Sequence, residues 1–370
     1  MTEGLIFKEK SVFEELVKDV EDGIEGKAAY IPIGLEKLGR YANIRKKIMT
    51  LLFSSTGAGK SSLGDTAFIL NPYQYLFSKS NVTGIKMKTI LFSMERAKKY
   101  RMAKWIIRQI YNDHNVKIQL PKLMGWWDDK LTADEHDLFL QYQDYLGELE
   151  EEIDIYEGPK SPSEIYKICK DIFRANGKYV KISEHKEIYI PNDENVIFNI
   201  IIDHGNLTKP NSTFPNKKAA IDGLAEMVQG FRDKESAHIL WIAQVNRDMS
   251  SPMIQKLESA ELTLDHVKAS GDVGDACDIA ISLFDPIKYN QGSKTGYNPM
   301  DFVSKEDGSK YFRSATIVKS SYGQDDLRIP LAFNGFCGDF LELPKKFDLN
   351  EEQYNKIVQL VTSGEYFSIR

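Results

Sequence analysis

The chain has 370 residues, with 48 Lys and Arg against 54 Asp and Glu, and a formal net charge of −6. This acidic balance argues against a general polyanion-coating protein, although nucleic acid can still bind in a narrow local channel. No apolar run approaches the length that spans a membrane, and residues 1–5 lack the features of a signal peptide. Three widely separated cysteines form no metal or redox spacing, which predicts a reducing, cytoplasmic location.

Residues 11–25 have the pattern of an amphipathic helix, which we treat as a linker segment covering 1–29. Ser11 and Glu14 form a capping box ahead of it. Apolar residues then recur at helical spacing: Val12, Phe13, Leu16, Val17, Val20 and Ile24. The pattern fits equally a helix packed on its own core and a helix docked on a neighbouring subunit.

From Tyr30 onward, apolar strands alternate with helical stretches, which predicts an α/β core with a mostly parallel central sheet flanked by helices. We expect this core to cover 30–345 and a helical tail to cover 346–370. A helix at 350–362 in that tail either caps the core or docks a partner. The predicted strands are 47–54, 87–93, 196–203, 238–244, 278–284, 314–319 and 327–333. The predicted helices lie near 60–70, 96–113, 132–150, 162–175, 217–233 and 253–261.

Two segments interrupt this alternation. Residues 176–195 contain two short alternating apolar runs, which predict a hairpin, and 286–312 are rich in Gly, Asn, Ser and Lys, which predicts an exposed loop. A solvated loop is the default for both insertions, and a contact with DNA or a partner is the alternative.

The first predicted strand leads into a phosphate-binding loop. Residues 54–61 read Ser-Ser-Thr-Gly-Ala-Gly-Lys-Ser, which fits the P-loop pattern except that Ser54 replaces its first Gly. Gly57 and Gly59 let successive N–H groups face one anion, Lys60 reaches the outer phosphates, and the Ser61 hydroxyl suits Mg²⁺. The sequence therefore predicts ATP and Mg²⁺ as ligands. The predicted nucleotide-binding residues are Ser55, Thr56, Gly57, Ala58, Gly59, Lys60, Ser61 and Ser62.

Three later strands end in residues that suit nucleotide hydrolysis. Asp203 ends an apolar strand, where a carboxylate can hold Mg²⁺ together with Ser61. Glu95 follows another strand and could orient and deprotonate the attacking water. Gln244 ends a third and could contact the γ-phosphate. Because open α/β sheets bind ligands at the carboxyl edge of their strands, these groups are expected to meet. For His204, a structural role is favoured over a catalytic one.

These motifs together resemble the RecA-like ATPase core of the DnaB family of replicative helicases, from about Ile31 to Leu343. The Gln-Val-Asn-Arg run is the most family-specific match, and His204 departs from the family, which usually has Tyr there. The matching segments are 33–38, the phosphate loop, 92–95, 131–156, 202–207 and 244–247.

The resemblance implies roles for further residues. The segment 267–271, followed by Asp278, resembles the loop that lines the family's central channel, so its contacts with single-stranded DNA would be electrostatic and sequence-independent. The implied DNA-binding residues are Arg247, Lys268, Ser270 and Gly271. The implied catalytic residues are Glu95, Lys60, Gln244 and Lys319.

One departure concerns the group that reaches a neighbour's nucleotide. The family pattern is Lys, one residue, then an arginine finger, and this chain has Lys319 but Ser321. An arginine finger contributes on the order of 10³-fold or more to the hydrolysis rate. Either Lys319 takes over that role, or Arg313 or Arg328 reaches in, or hydrolysis is slow.

The resemblance implies an ATP-driven ring, expected to be a hexamer, that moves 5′→3′ on single-stranded DNA, unwinds duplex and works with other replication proteins. Only about 30 residues precede the core, so we expect no primase-binding collar, and a small version of this kind suggests a phage or mobile element. Two alternatives stay open: a RecA-like recombinase filament, and an ATP-switched ring scaffold or loader with weak turnover.

Overall fold

The computed structural model describes residues 11–25, 30–184, 186–245, 261–267 and 271–368. Within them the chain forms a nine-stranded, mostly parallel sheet flanked by helices, and a separate two-stranded hairpin. The α/β architecture predicted from the sequence is therefore confirmed.

The elements follow in chain order. The strands are β1 (Ile48–Ser54), β2 (Lys86–Ser93), β3 (Ile153–Glu157), β4 (Gly177–Lys181), β5 (Glu187–Pro191), β6 (Val196–Asp203), β7 (His238–Gln244), β8 (Ile279–Phe284), β9 (Phe312–Ser320), β10 (Leu327–Asn334) and β11 (Asp339–Glu342). The α-helices are α1 (Val12–Ile24), α2 (Glu36–Ala42), α3 (Lys60–Asp65), α4 (Asn71–Phe77), α5 (Lys98–His114), α6 (Leu120–Leu123), α7 (Ala133–Leu140), α8 (Gln143–Glu152), α9 (Pro162–Ala175), α10 (Lys217–Lys234), α11 (Gly271–Ala276) and α12 (Glu351–Ser363).

The parallel part of the sheet places β1 near its centre. The strands β8, β1, β7, β6, β2 and β3 run parallel in that order, and β9, β10 and β11 extend one edge in antiparallel fashion. Every residue of β1 is buried, as expected for a strand covered on both faces. One apolar cluster packs α3, α4 and α5 on one face, and another packs α9 and α10 on the other.

The predicted strands are all present, with ends shifted by no more than two residues. The strands β3 and β11 were missed, because both are short edge strands in which acidic residues interrupt the apolar pattern. The helix predicted over 132–150 is two helices, α7 and α8, which meet near Tyr142. The helix predicted near 253–261 lies outside the described residues apart from residue 261.

The helix after the phosphate loop is longer than predicted and is not uniform. A π-helical turn over Thr66–Leu70 joins α3 to α4, so helical backbone continues from Lys60 to Phe77. All five residues of the π turn are buried. The wider turn therefore lies inside the core, directly behind the loop that is expected to bind phosphate.

The two predicted insertions have different outcomes. The segment 176–195 forms the expected hairpin from β4 and β5. The prediction of an exposed loop at 286–312 is wrong, because Tyr297 and Phe302 are 2% and 0% exposed. Their rings pack against Phe312 in a third apolar cluster, so the polar composition of this segment conceals aromatic anchors.

The C-terminal helix α12 packs on the core. Val361 is fully buried, and the ring of Tyr354 lies 5.6 Å from that of Tyr297. Phe367, beyond the helix, is also buried in the same cluster. Of the two roles considered for this tail, the structure shows the capping one. None of the described helices is both long and apolar enough to cross a membrane.

The helix α1 buries none of its apolar stripe in its own core. Val12, Phe13 and Ile24 are 83%, 72% and 81% exposed, and Leu16 and Val20 are more than half exposed. The predicted capping box is present, with Ser11 and Glu14 hydrogen-bonded in both directions. Of the two packing modes considered for this helix, the one on its own core is therefore excluded.

His238 is a buried histidine at the start of β7, and it should make stability depend on pH. Its Nδ1 lies 2.9 Å from Asn199 Oδ1, and its ring stacks on Phe68. Burial lowers the pKa of His238 to about 3, with a smaller contribution from Arg45. Between about pH 6.5 and pH 3 the unfolded chain therefore binds a proton here that the folded chain does not.

Acidification through that window should favour unfolding by up to about 1.4 kcal/mol per pH unit from this group. Urea unfolding from pH 7 to pH 5 checks this by comparing the wild type with His238→Gln, which should lose that part of the slope. His136→Gln, at an exposed position, is the matched control. Parallel pH dependences for wild type and His238→Gln would contradict the assignment.

Candidate nucleotide-binding and hydrolysis site

Four strands bring the predicted polar residues to one edge of the sheet. In the register, Ser93 at the end of β2 lies beside Asp203 at the end of β6, and Asp203 lies beside Ile242 of β7. Ser54 at the end of β1 lies beside Gln244. The phosphate loop and the three strand ends singled out from the sequence therefore share the carboxyl edge, as expected for an open α/β sheet.

The phosphate loop has the backbone that its glycines predict. Gly57 and Gly59 have φ of 85° and 101°, a left-handed conformation that other residues rarely adopt. A Cβ on Gly59 would also lie 2.9 Å from the Phe340 ring and 3.2 Å from the Phe333 ring. Ser54, which replaces the first Gly of the pattern, is instead the last residue of β1 and has no positive φ. Glycine is therefore not required there.

Two cations from outside the loop hold it from behind. Arg313 Nε donates to the carbonyl oxygen of Ala58 at 3.0 Å, and its guanidinium pairs with Asp285 at 3.1 Å. Lys288 Nζ donates to the carbonyl oxygen of Thr56. Neither contact was predicted, since Lys288 belongs to the segment read as an exposed loop. Loop conformation thus depends on residues more than 200 positions downstream.

Lys60 begins α3 and is only 9% exposed. Burial lowers the pKa of its ammonium, and the carboxylates of Asp203 and Glu95 oppose that shift. Phosphate beside the ammonium would add negative charge and favour the charged form. The side chain therefore lies in an environment suited to a polyanionic ligand.

Ser61 and Asp203 fit the magnesium site predicted for them. Ser61 Oγ donates to Asp203 Oδ1 at 3.1 Å, and both residues are buried. Hydroxyl and carboxylate oxygens are ligands that Mg²⁺ accepts, together with water and substrate phosphates. Among the described residues no group of three or more His, Cys, Asp and Glu could hold a metal. The donor set is thus the sparse one expected when phosphates complete the coordination.

A buried arginine holds the second oxygen of Asp203. Arg101, on α5, donates from its NH1 to Asp203 Oδ2 at 2.7 Å and from Nε to Asp65 Oδ1 at 3.0 Å. Its side chain is 1% exposed, and Trp105 Nε1 also donates to Asp65. Burial opposes the charge, but Asp65 and Asp203 outweigh it and raise the pKa of the guanidinium.

Sequence reasoning missed this cluster because no motif links its members. The only local signal is an arginine and a tryptophan on the buried face of a helix, which a hydrophobic pattern does not single out. Arg101 leaves Asp203 Oδ1 facing Ser61. The cluster therefore orients the carboxylate assigned to the metal.

Glu95 and Gln244 are joined through the histidine between them. His204 Nε2 lies 2.9 Å from Gln244 Oε1 and 3.9 Å from Glu95 Oε2. Gln244 Nε2 donates to Thr56 Oγ1 of the phosphate loop. The Glu95 side chain is 56% exposed, so its carboxylate can meet water at the mouth of the site.

Lys319 lies on the far side of the sheet from the phosphate loop. It pairs with Ala280 of β8, which lies beside Leu51 near the middle of β1, and β9 runs on from there away from the loop. Its Nζ donates to the carbonyl oxygens of Gly274 and Asp275, at 3.0 and 2.8 Å. Within one chain Lys319 is therefore not brought to the phosphate loop.

The other residues considered for the trans contact and for DNA are placed as follows. Arg313 braces its own loop, and Arg328 pairs with Glu261 and Asp326. Ser321 follows β9, and its N–H donates to the Asp278 carbonyl oxygen. Gly271 begins α11. The remaining DNA-binding predictions, Arg247, Lys268 and Ser270, lie outside the described residues.

Two solved structures share this fold. An ATPase domain of a DnaB-like helicase, solved separately, matches with a TM-score of 0.63 and 17% identity, covering 90% of this chain and 100% of that one. A DnaB-like replicative helicase, described with its interactions with primase, matches with a TM-score of 0.63 and 17% identity, covering 91% of this chain and 68% of that one. No protein-family model and no curated protein matches the sequence. The likeness establishes the RecA-like ATPase fold.

The Arg101 cluster should be a large contributor to stability. Arg101→Ala would leave Asp65 and Asp203 as buried carboxylates without a partner, which typically costs about 3–5 kcal/mol. Arg40→Ala removes an exposed ion pair with Glu36 and should cost about 0.5 kcal/mol or less. Urea unfolding without Mg²⁺ measures both. Equal, small losses for the two variants would show that Arg101 does not hold the site together.

Proposed function

We propose that this protein is an ATP-driven motor that assembles as a ring, translocates on single-stranded DNA and unwinds duplex. The observation that carries the proposal is the meeting of Ser61, Asp203, Glu95 and Gln244 beside the phosphate loop. The RecA-like fold shared with DnaB-like helicase ATPase domains supports it. Replication proteins are the proposed partner class, since one of those helicases is described with its interactions with primase.

Hydrolysis would use the groups at the sheet edge. The N–H groups of the loop and the Lys60 ammonium would bind the phosphates, and Ser61 with Asp203 would hold Mg²⁺. The metal supplies charge neutralisation between the outer phosphates. Glu95, exposed at the mouth, would accept a proton from the attacking water. Gln244 would contact the γ-phosphate and respond to its loss.

The coupling to DNA has a physical connection in the described residues. Val245, directly after Gln244, forms an isolated bridge with Val267. Val267 immediately precedes the residues proposed to contact DNA. Lys319 binds the carbonyl oxygens that end α11, on the other side of that segment. A displacement of Gln244 would therefore pass directly to the proposed DNA loop.

Ring assembly is supported from two sides of the chain. The α1 stripe is exposed, and burying side chains of its kind contributes about 1.5–3 kcal/mol each. Lys319 stands away from its own phosphate loop, so any contact it makes with nucleotide would be with that of another subunit. Both features suit neighbours packed head to tail, and a hexamer is the proposed closed form.

A second candidate function is an ATP-switched ring scaffold or loader with weak turnover. The favouring observation is that no described arginine considered for the finger role is free: Arg313 and Arg328 are engaged within their own chain, while Ser321 has no cation. A turnover rate that single-stranded DNA does not change would support this reading over the motor.

Strand displacement on a forked DNA with a free 5′ tail tests the motor directly. The wild type with ATP should unwind the fork, and unwinding should require the 5′ tail. Lys60→Ala removes a positioned charge at the phosphates and should lower ATP hydrolysis on the order of 100-fold or more, abolishing unwinding. A fork with only a 3′ tail is the substrate control.

If a folded protein that binds ATP unwinds neither fork, the motor proposal fails. If it hydrolyses ATP slowly and equally with and without DNA, the scaffold is favoured. If unwinding needs the 3′ tail instead, the proposed polarity is wrong and the motor stands.

The role of α1 in assembly is tested on the intact chain. Phe13→Asp with Leu16→Asp places two charges in the apolar stripe and should convert rings to monomers, because each charge would be buried without a partner. Lys18→Asp puts the same group on the opposite face of the helix and should leave the assembly intact. Light scattering after size exclusion measures the mass. Rings that persist in the double variant would exclude α1 as the contact.

A further inference from the structure

His204 is held in an unusual backbone position directly after Asp203. It has a φ of 72°, in the left-handed region, and its N–H donates to the Ile242 carbonyl oxygen at 3.2 Å. Gly205 follows, and a Cβ there would lie 2.4 Å from the Trp241 indole. The turn is therefore pinned on β7, which fixes where the imidazole lies.

The hydrogen-bond partners fix the tautomer of this imidazole. Gln244 Nε2 donates to Thr56 Oγ1, so it is Gln244 Oε1 that faces His204. An amide oxygen can only accept, and His204 Nε2 must therefore donate. The other ring nitrogen, Nδ1, is buried and has no hydrogen-bond partner. A purely structural imidazole would be expected to satisfy both nitrogens.

One N–H group thus has two acceptors within reach. Nε2 is 2.9 Å from Gln244 Oε1 and 3.9 Å from Glu95 Oε2. In the arrangement described, the donor serves Gln244, and Glu95 is left exposed. A small displacement of the Gln244 amide would release the donor toward the carboxylate.

We propose that His204 is a positioning residue whose Nε2–H passes from Gln244 to Glu95 when the phosphate loop is occupied. This inference rests on the proposed ATPase function and deepens it. A γ-phosphate that draws the Gln244 amide from Thr56 also withdraws Oε1 from His204. The N–H then donates to Glu95 and fixes the carboxylate over the loop. The chain Thr56, Gln244, His204 and Glu95 makes the base ready only when nucleotide is bound.

The test compares two substitutions that share the backbone cost at this left-handed position. His204→Phe keeps a planar ring and removes the donor, whereas His204→Gln keeps an N–H at the same distance along the side chain. Single-turnover hydrolysis by His204→Phe should be about 10- to 100-fold slower, as for a misplaced catalytic group. His204→Gln should recover most of that rate. The Kd for a non-hydrolysable ATP analogue should stay within about twofold in both, because positioning acts on the chemical step.

A double-mutant cycle gives an independent readout. Gln244→Ala should slow hydrolysis by itself, and adding His204→Phe should slow it little further, because both residues belong to one hydrogen-bonded chain. Effects that multiply would overturn the proposal. If His204→Phe does not fold, His204→Leu replaces it, with the same expected loss and the same rescue by Gln.

The outcomes separate this inference from the function on which it rests. An active wild type with His204→Phe at the same rate, or with His204→Gln as slow as His204→Phe, overturns only the role of His204. A wild type that binds the analogue but does not hydrolyse ATP overturns the ATPase itself and this role with it.

Discussion

The guanidinium of Arg101 joins two buried carboxylates that come from different parts of the fold. Asp65 lies on the helix that follows the phosphate loop, and Asp203 ends the strand two positions away across the sheet. Burying any one of these charges alone would be costly, so their geometry is tightly constrained. The arrangement sets Asp203 Oδ1 against Ser61 and thereby sets the spacing between loop and strand ends.

The same constraint separates what the sequence reveals from what it conceals. The phosphate loop and the strand ending in Asp203 were predictable because local pattern determines them: glycines that need a left-handed backbone, and apolar runs that must be buried. Strands between helices had to be parallel, and their carboxyl ends had to share one edge. This reasoning also placed Glu95 and Gln244 at the site.

The contacts that hold the site were not predictable, because they join residues far apart in the chain. Arg313 and Lys288 approach the loop from more than 200 positions downstream. The link through His204 depends on a turn whose conformation is fixed by the Trp241 ring. The edge strands β3 and β11 were missed for a different reason, since short strands interrupted by acidic residues resemble loops. The buried segment at 286–312 was misread because a few aromatic anchors outweigh a polar composition.

The exposed stripe of α1 makes the state of the molecule a question of amount. Five of its apolar side chains are more than half exposed in the single chain, so they are covered only when another surface is supplied. By mass action, dilution then returns the stripe to water and concentration buries it. Newly made chains would pass through the uncovered form first, where any apolar surface competes for the stripe. The abundance of the protein thus helps to decide whether its first contact is the correct one.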